Sequence, residues 1–172
     1  SKIRLIHRCV NMENFNVETT SAERMIKYLE DNHIPEDKPI VTLIGRLTNW
    51  KGQKLLIEAL HLLENEDFFC VMIGDDQGRK KYASELRKMI ANYNMTERFL
   101  FIRNVKDIPA AMMVSDVVLS TSIEPEAFGR IAIEGQAMGR VVVASNIGGS
   151  VETVIDGVTG RLYESTSAKA LA

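Results

Sequence analysis

Two cations stand five positions apart in Gly45-Arg46-Leu47-Thr48-Asn49-Trp50-Lys51-Gly52, between an apolar run and an amphipathic one. Arginine offers a planar fork to two oxygens, and lysine adds a mobile point charge. Beside the free N–H groups of a helix start, such a pair can hold a diphosphate. Spacing alone equally allows two solvated loop charges. The stretch is not a P-loop, because no Gly-Lys-Ser/Thr follows the first glycine at the required distance.

The densest chemical run is Ser122-Ile123-Glu124-Pro125-Glu126-Ala127-Phe128-Gly129-Arg130, continuing through Ile131-Ala132-Ile133 to Glu134. Glu126 falls in a loop. Glu134 follows eight positions later, about two turns along a helix predicted from about Phe128 to Met138. A helix start at Phe128-Gly129-Arg130 exposes backbone N–H groups, and the glycine lets a ligand approach the chain closely. A hydroxyl-accepting carboxylate, an anion-binding set of amides and a second carboxylate then lie along one line. A sugar, a diphosphate and a ribose together ask for that order. The rival account makes Glu126 a first-turn helix charge and pairs Glu134 with Arg130 at i, i+4. Spacing leaves both open.

Gly74-Asp75-Asp76-Gln77-Gly78 lacks the GxGxxG spacing of a dinucleotide fingerprint. Its aspartates suit a solvated turn with a helix cap better than a magnesium or phosphoacceptor site. His7, His33 and His61 are scattered, with no cysteine or carboxylate in ligand register, so no metal site is expected. Cys9 and Cys70 form no CxxC pair, which argues against zinc, thioredoxin chemistry and a disulfide framework. Cys70, inside Phe68-Phe69-Cys70-Val71-Met72-Ile73, is expected to be a buried thiol.

The elements that carry these loops alternate. Apolar strands are predicted at Pro39–Gly45, Phe68–Ile73, Phe99–Ile102, Val117–Ser120, Val141–Ala144 and Arg161–Tyr163. Helical spacing links them: Leu55 to Leu63, Tyr82 to Tyr93, Ile108 to Val114, Phe128 to Met138, and a short helix over Val151–Ile155. Thr20-Ser21-Ala22-Glu23 has the capping-box pattern and opens a helix through Leu29. Strands this apolar, without period-2 alternation, suit a parallel sheet covered on both faces. The βαβ rhythm predicts an α/β, doubly wound parallel sheet with its ligand at the carboxyl ends of the strands.

At 172 residues, 45% hydrophobic and 26% charged, the chain can bury the core of one domain. A net charge of −2 argues against a general nucleic-acid or polybasic membrane binder. Both ends look cut: Ile3–Ile6 resembles a strand with no partner before it, and a helix starting after Ser165 stops at once. The chain is expected to be a fragment of a larger, cytoplasmic protein.

Gly45-Arg46 with Lys51-Gly52, the Glu126-x7-Glu134 pair, Ala137-Met138-Gly139 and Gly148-Gly149-x-x-Glu152 occur here in one order. Together they resemble the C-terminal, donor-binding domain of a retaining GT-B glycosyltransferase of the family-4, glycosyl transferases group 1, kind. Residues 1–17 resemble the interdomain segment before that domain, and 18–172 the nucleotide-sugar-binding Rossmann-like domain itself, cut at its C-terminus. The sequence departs from the usual pattern at Cys9, Asp76 and Arg103, where glycine is common, and at Arg140-Val141, which lacks proline.

The resemblance implies a role for each motif residue. Arg46 and Lys51 would grip the donor diphosphate, and Glu126 would contact donor-sugar hydroxyls. The amides of Phe128, Gly129 and Arg130 would meet sugar and phosphate. Glu134 would hold the ribose, and Arg103-Asn104-Val105 would lie near the base. It implies no resident cofactor and no metal, the nucleotide-diphospho-sugar being substrate. It also implies an N-terminal acceptor domain in cis, hexosyl transfer in polysaccharide or lipopolysaccharide synthesis, and membrane contact, if any, peripheral and through the absent part. A non-catalytic nucleotide- or sugar-phosphate-binding module and a sugar-nucleotide epimerase of related fold are the rival functions.

Overall fold

The computed structural model describes residue 4 and residues 8–172. Six parallel strands form one sheet: β1 (Ile40–Ile44), β2 (Phe69–Ile73), β3 (Phe99–Ile102), β4 (Val117–Ser120), β5 (Val141–Ser145) and β6 (Arg161–Tyr163). Their order across the sheet is β3-β2-β1-β4-β5-β6. The chain therefore winds outward from β1 in one direction, then returns and continues in the other. β1 pairs with β2 through Ile40↔Phe69 and with β4 through Val41↔Val117. The reversal between β1 and β4 opens a crevice above their carboxyl ends, where ligands of such sheets bind. The expected α/β, doubly wound architecture is the one observed.

Pleating sorts the apolar runs into two layers. Phe69, Val71 and Ile73 of β2 enter one core, while Cys70 and Met72 enter the other. The first layer is covered by α1 (Ala22–Asn32), α4 (Ile108–Met113), α5 (Arg130–Ala137) and α6 (Ser150–Thr153), through residues such as Tyr28, Met112, Ala132 and the adjacent Val154. The second is covered by α2 (Gln53–Leu62), α3 (Lys80–Asn92) and α7 (Ala168–Leu171), through Leu56, Leu86 and Leu171. Double-sided burial explains the unbroken apolar strands. Cys70 is buried as expected, and burial pushes its thiol well above the ordinary range.

Several local expectations need correction. The capping box at Thr20 does not form, because the Thr20 hydroxyl donates to the Asn16 carbonyl at 3.0 Å and the helix starts behind Ser21. That helix runs to Asn32, past Leu29, and closes on His33 in the left-handed region. Phe128 lies before α5, which begins behind Gly129 at φ +73°. Glu134 is thus about one turn, not two, from the helix start. The short helix after Gly149 spans Ser150–Thr153 and ends before Val154. The strand expected at Ile3–Ile6 and His7 lie outside the described residues. Phe15, in the segment before α1, packs against the first core.

Candidate functional site

The loop after β1 is fastened from three directions. Gly45 N–H donates to the Ile73 carbonyl at 2.8 Å, and Leu47 N–H to that of Asp75 at 3.0 Å. Gln53, fully buried, donates its amide to the Arg46 carbonyl at 2.9 Å and accepts from the Tyr82 hydroxyl at 3.1 Å. A buried amide satisfied in this way fixes a loop that would otherwise be free. From the β4 side, the Thr121 hydroxyl donates to the Lys51 carbonyl at 2.9 Å, and Ile123 N–H to the Trp50 carbonyl at 2.8 Å. Gly52, at φ +72°, completes the contact, since a Cβ there would overlap the Thr121 carbonyl oxygen.

This clamp brings together two residues that are 75 positions apart in the chain. Lys51 Nζ lies 2.6 Å from Glu126 Oε1, with the two side chains only 13% and 16% exposed. The Ser122 hydroxyl donates to the same Oε1. Lys51 Nζ also sits 4.5 Å from the centroid of the Trp50 ring, and the Arg46 guanidinium is 5.9 Å from it. Lys51 is therefore not a solvated loop charge, whereas Arg46 is exposed on the crevice rim. Nor is Glu126 a first-turn helix charge. It belongs to the loop, four residues before α5.

The start of α5 faces the same crevice. Gly129 caps the helix with no side-chain bond, and the amides of Phe128, Gly129, Arg130 and Ile131 donate to no acceptor among the described residues. The loop after β5 supports them from behind. Gly149 N–H donates to the Glu126 carbonyl at 2.7 Å, and Cβ atoms at Gly148 and Gly149 would collide with the Glu126 and Phe128 backbone. A loop pressed this closely presents its free N–H groups in a set geometry, the condition for an anion site at a helix start.

Glu134 is half-buried on α5, and among the described residues no ion pair joins it to Arg130. The i, i+4 account of Glu134 therefore has no contact behind it. Burial raises the Glu134 carboxyl above its ordinary value, against a smaller opposing pull from the Arg130 charge. Arg103, after β3, reaches back to the β2 loop, 3.3 Å from Asp76 and 3.6 Å from Asp75. Those aspartates form turns, Asp75 accepting from Gln77 N–H and Asp76 from Gly78 N–H, but Arg79 rather than either aspartate caps α3.

A family model described as glycosyl transferases group 1 matches residues 25–172. The chain belongs to this family. Among solved structures, a glycosyltransferase from Rickettsia africae is 40% identical, with a TM-score of 0.96 over 99% of this chain and 45% of that one. Anabaena HepE, crystallised in complex with UDP-glucose, is 30% identical with a TM-score of 0.87 over 98% of this chain and 45% of its own. The C-terminal domain of a group 1 family protein, LpcC, from Francisella tularensis matches over 95% of this chain and 84% of its own, at 27% identity and a TM-score of 0.80. The sheet is thus that of the C-terminal domain of the family, and the chain spans less than half the length of the longer relatives.

This group 1 domain has no helix among its described residues long and apolar enough to cross a membrane. Gln53, Thr121, Ser122 and Trp50 were not singled out from spacing, although they hold the two loops together. Each contributes through a contact made in three dimensions, and only their nearness to Lys51 and Glu126 in the chain hinted at it.

Proposed function

We propose that this chain is the donor-binding half of a retaining glycosyltransferase, which moves a hexose from a nucleotide-diphospho-sugar to an acceptor hydroxyl. The observation that carries the proposal is the Lys51–Glu126 pair at the β1/β4 reversal, beside the free amides of α5. An ammonium group has three donors, and Glu126 takes one. The remaining two, with the Arg46 fork and the Phe128–Arg130 amides, suit a diphosphate. Glu126 Oε2 accepts from no described residue and suits a sugar hydroxyl.

Lys51 then bridges the sugar's carboxylate contact and the phosphate, the two groups that flank the bond to be broken. As the nucleoside diphosphate departs from the anomeric carbon, negative charge grows on its phosphate oxygens. Cations and amides already oriented there lower the barrier without reorganising. Glu134 accepts from the ribose hydroxyls, and Arg103-Asn104-Val105 borders the base. Residues 1–17 act as the link to an acceptor-binding domain, residues 18–172 as the donor domain, and the protein works in the cytoplasm. HepE was crystallised with UDP and glucose, so UDP and UDP-glucose are the first probes.

Calorimetric titration with UDP, GDP and ADP and their glucose or mannose conjugates tests the proposal. One nucleotide series should bind with one-to-one stoichiometry, and equally well in EDTA and in magnesium, since side-chain cations neutralise the diphosphate. Failure of every series to bind, or binding that disappears in EDTA, would contradict it.

A further inference from the structure

We infer that Ser122 is a positioning residue that sets which oxygen of Glu126 faces the donor sugar; the inference rests on the donor-binding function proposed above. Ser122 stands two residues past the end of β4 and is 3% exposed. Its hydroxyl and Lys51 Nζ both donate to Glu126 Oε1, the lysine at 2.6 Å. A carboxylate oxygen offers about two lone-pair sites, so these two donors saturate Oε1. Oε2 has no partner among the described residues, in a pair largely withdrawn from solvent. Oε2 is not among the buried unpartnered atoms, so it still reaches solvent and is free to accept from a ligand hydroxyl that arrives there.

The two donors are not equivalent. Lys51 sits on a flexible four-carbon stem and has phosphate oxygens to follow once a donor is bound. Ser122 hangs from a short side chain beside a strand end, and its neighbour Thr121 is anchored to the Lys51 carbonyl at 2.9 Å. With the ammonium shared between carboxylate and phosphate, the serine hydroxyl is the contact that keeps the carboxylate from rotating and offering its oxygens at random. Ser122 thus acts through Glu126 and does not itself touch the sugar.

The test compares UDP with UDP-glucose on the 172-residue wild type and on Ser122→Ala and Ser122→Thr. Ser122→Ala should raise the Kd for UDP-glucose by about tenfold, the size of one hydrogen bond to a charged group. The loss for UDP should be several-fold smaller, and Ser122→Thr should restore the UDP-glucose affinity because it restores the hydroxyl. A thermal-unfolding cycle with Glu126→Gln supplies a readout without ligand: the two changes should be non-additive. Equal losses for UDP and UDP-glucose would mean a structural role and overturn the inference, as would an unchanged UDP-glucose Kd or additive unfolding effects. A wild type that binds neither these ligands nor any other nucleoside diphosphate overturns the donor function and this inference together. A wild type that binds both, with Ser122→Ala unchanged, overturns this inference alone.

Discussion

Glu134 illustrates how a single side chain carries opposing demands. Burial raises its carboxyl, so its protonated form is favoured in the folded chain. The associated stability is fully present below the unfolded-state value and is lost as pH rises through the folded-state value. Glu134→Gln should therefore unfold at a higher temperature than wild type at neutral pH, and the difference should vanish below about pH 4. Ligand binding should run the other way, because ribose hydroxyls donate best to the charged form. Removing the ribose 2′-hydroxyl should weaken binding to wild type by about 1–3 kcal/mol and cost much less once Glu134 is alanine. Parallel losses in both backgrounds would decide against a ribose contact. These residues were legible as candidates because their types suit the ligand. Their pairing was not: Lys51 and Glu126 meet across 75 positions, and local spacing carries no information about which loops a sheet reversal brings together.

At the scale of elements, the strands were legible because burial on both faces leaves a continuous apolar run, as in β2, where all five residues are buried. Helix starts were less legible because they depend on where one hydroxyl or one glycine goes. Thr20 turned back to Asn16, and Gly129 took a left-handed conformation that kept Phe128 out of α5. The start of α4 offers a test of such local devices. Asp107 accepts from Ala110 N–H at 3.0 Å and holds Arg24 of α1 through contacts of 2.7 and 2.8 Å. The bond from Arg24 lowers the Asp107 carboxyl below its ordinary value. Its contribution is therefore present above the ordinary carboxylate range and is lost as acid carries pH down through the folded-state value. Because both side chains are more than a third exposed, the ion pair adds little and the cap dominates. Asp107→Ala should cost about 1–2 kcal/mol in urea unfolding, and Asp107→Asn, which keeps the cap, should recover most of it. An alanine variant as stable as wild type would show that α4 is held by packing alone.

The molecule as a whole is a sheet whose reversal point brings Lys51 to Glu126, with Arg46 near the same Trp50 ring and the start of α5 four residues on from Glu126. Its sequence motifs, taken together, identified the family before any contact was known, and the fold followed from apolar patterning. The Ser122–Glu126–Lys51 linkage, the Trp50 ring beside both cations, and the Arg103 bridge to the β2 loop are contacts of the folded chain that no local spacing encodes. The central claim is that Lys51 and Arg46 face the second phosphate of a nucleoside diphosphate. Comparing the nucleoside diphosphate that binds best with its monophosphate, on wild type, Arg46→Ala and Lys51→Ala, tests it most directly. Wild type should prefer the diphosphate, and each substitution should remove about 1–3 kcal/mol of that preference while leaving monophosphate affinity much less affected. A preference for the diphosphate that persists undiminished in both variants would contradict the claim.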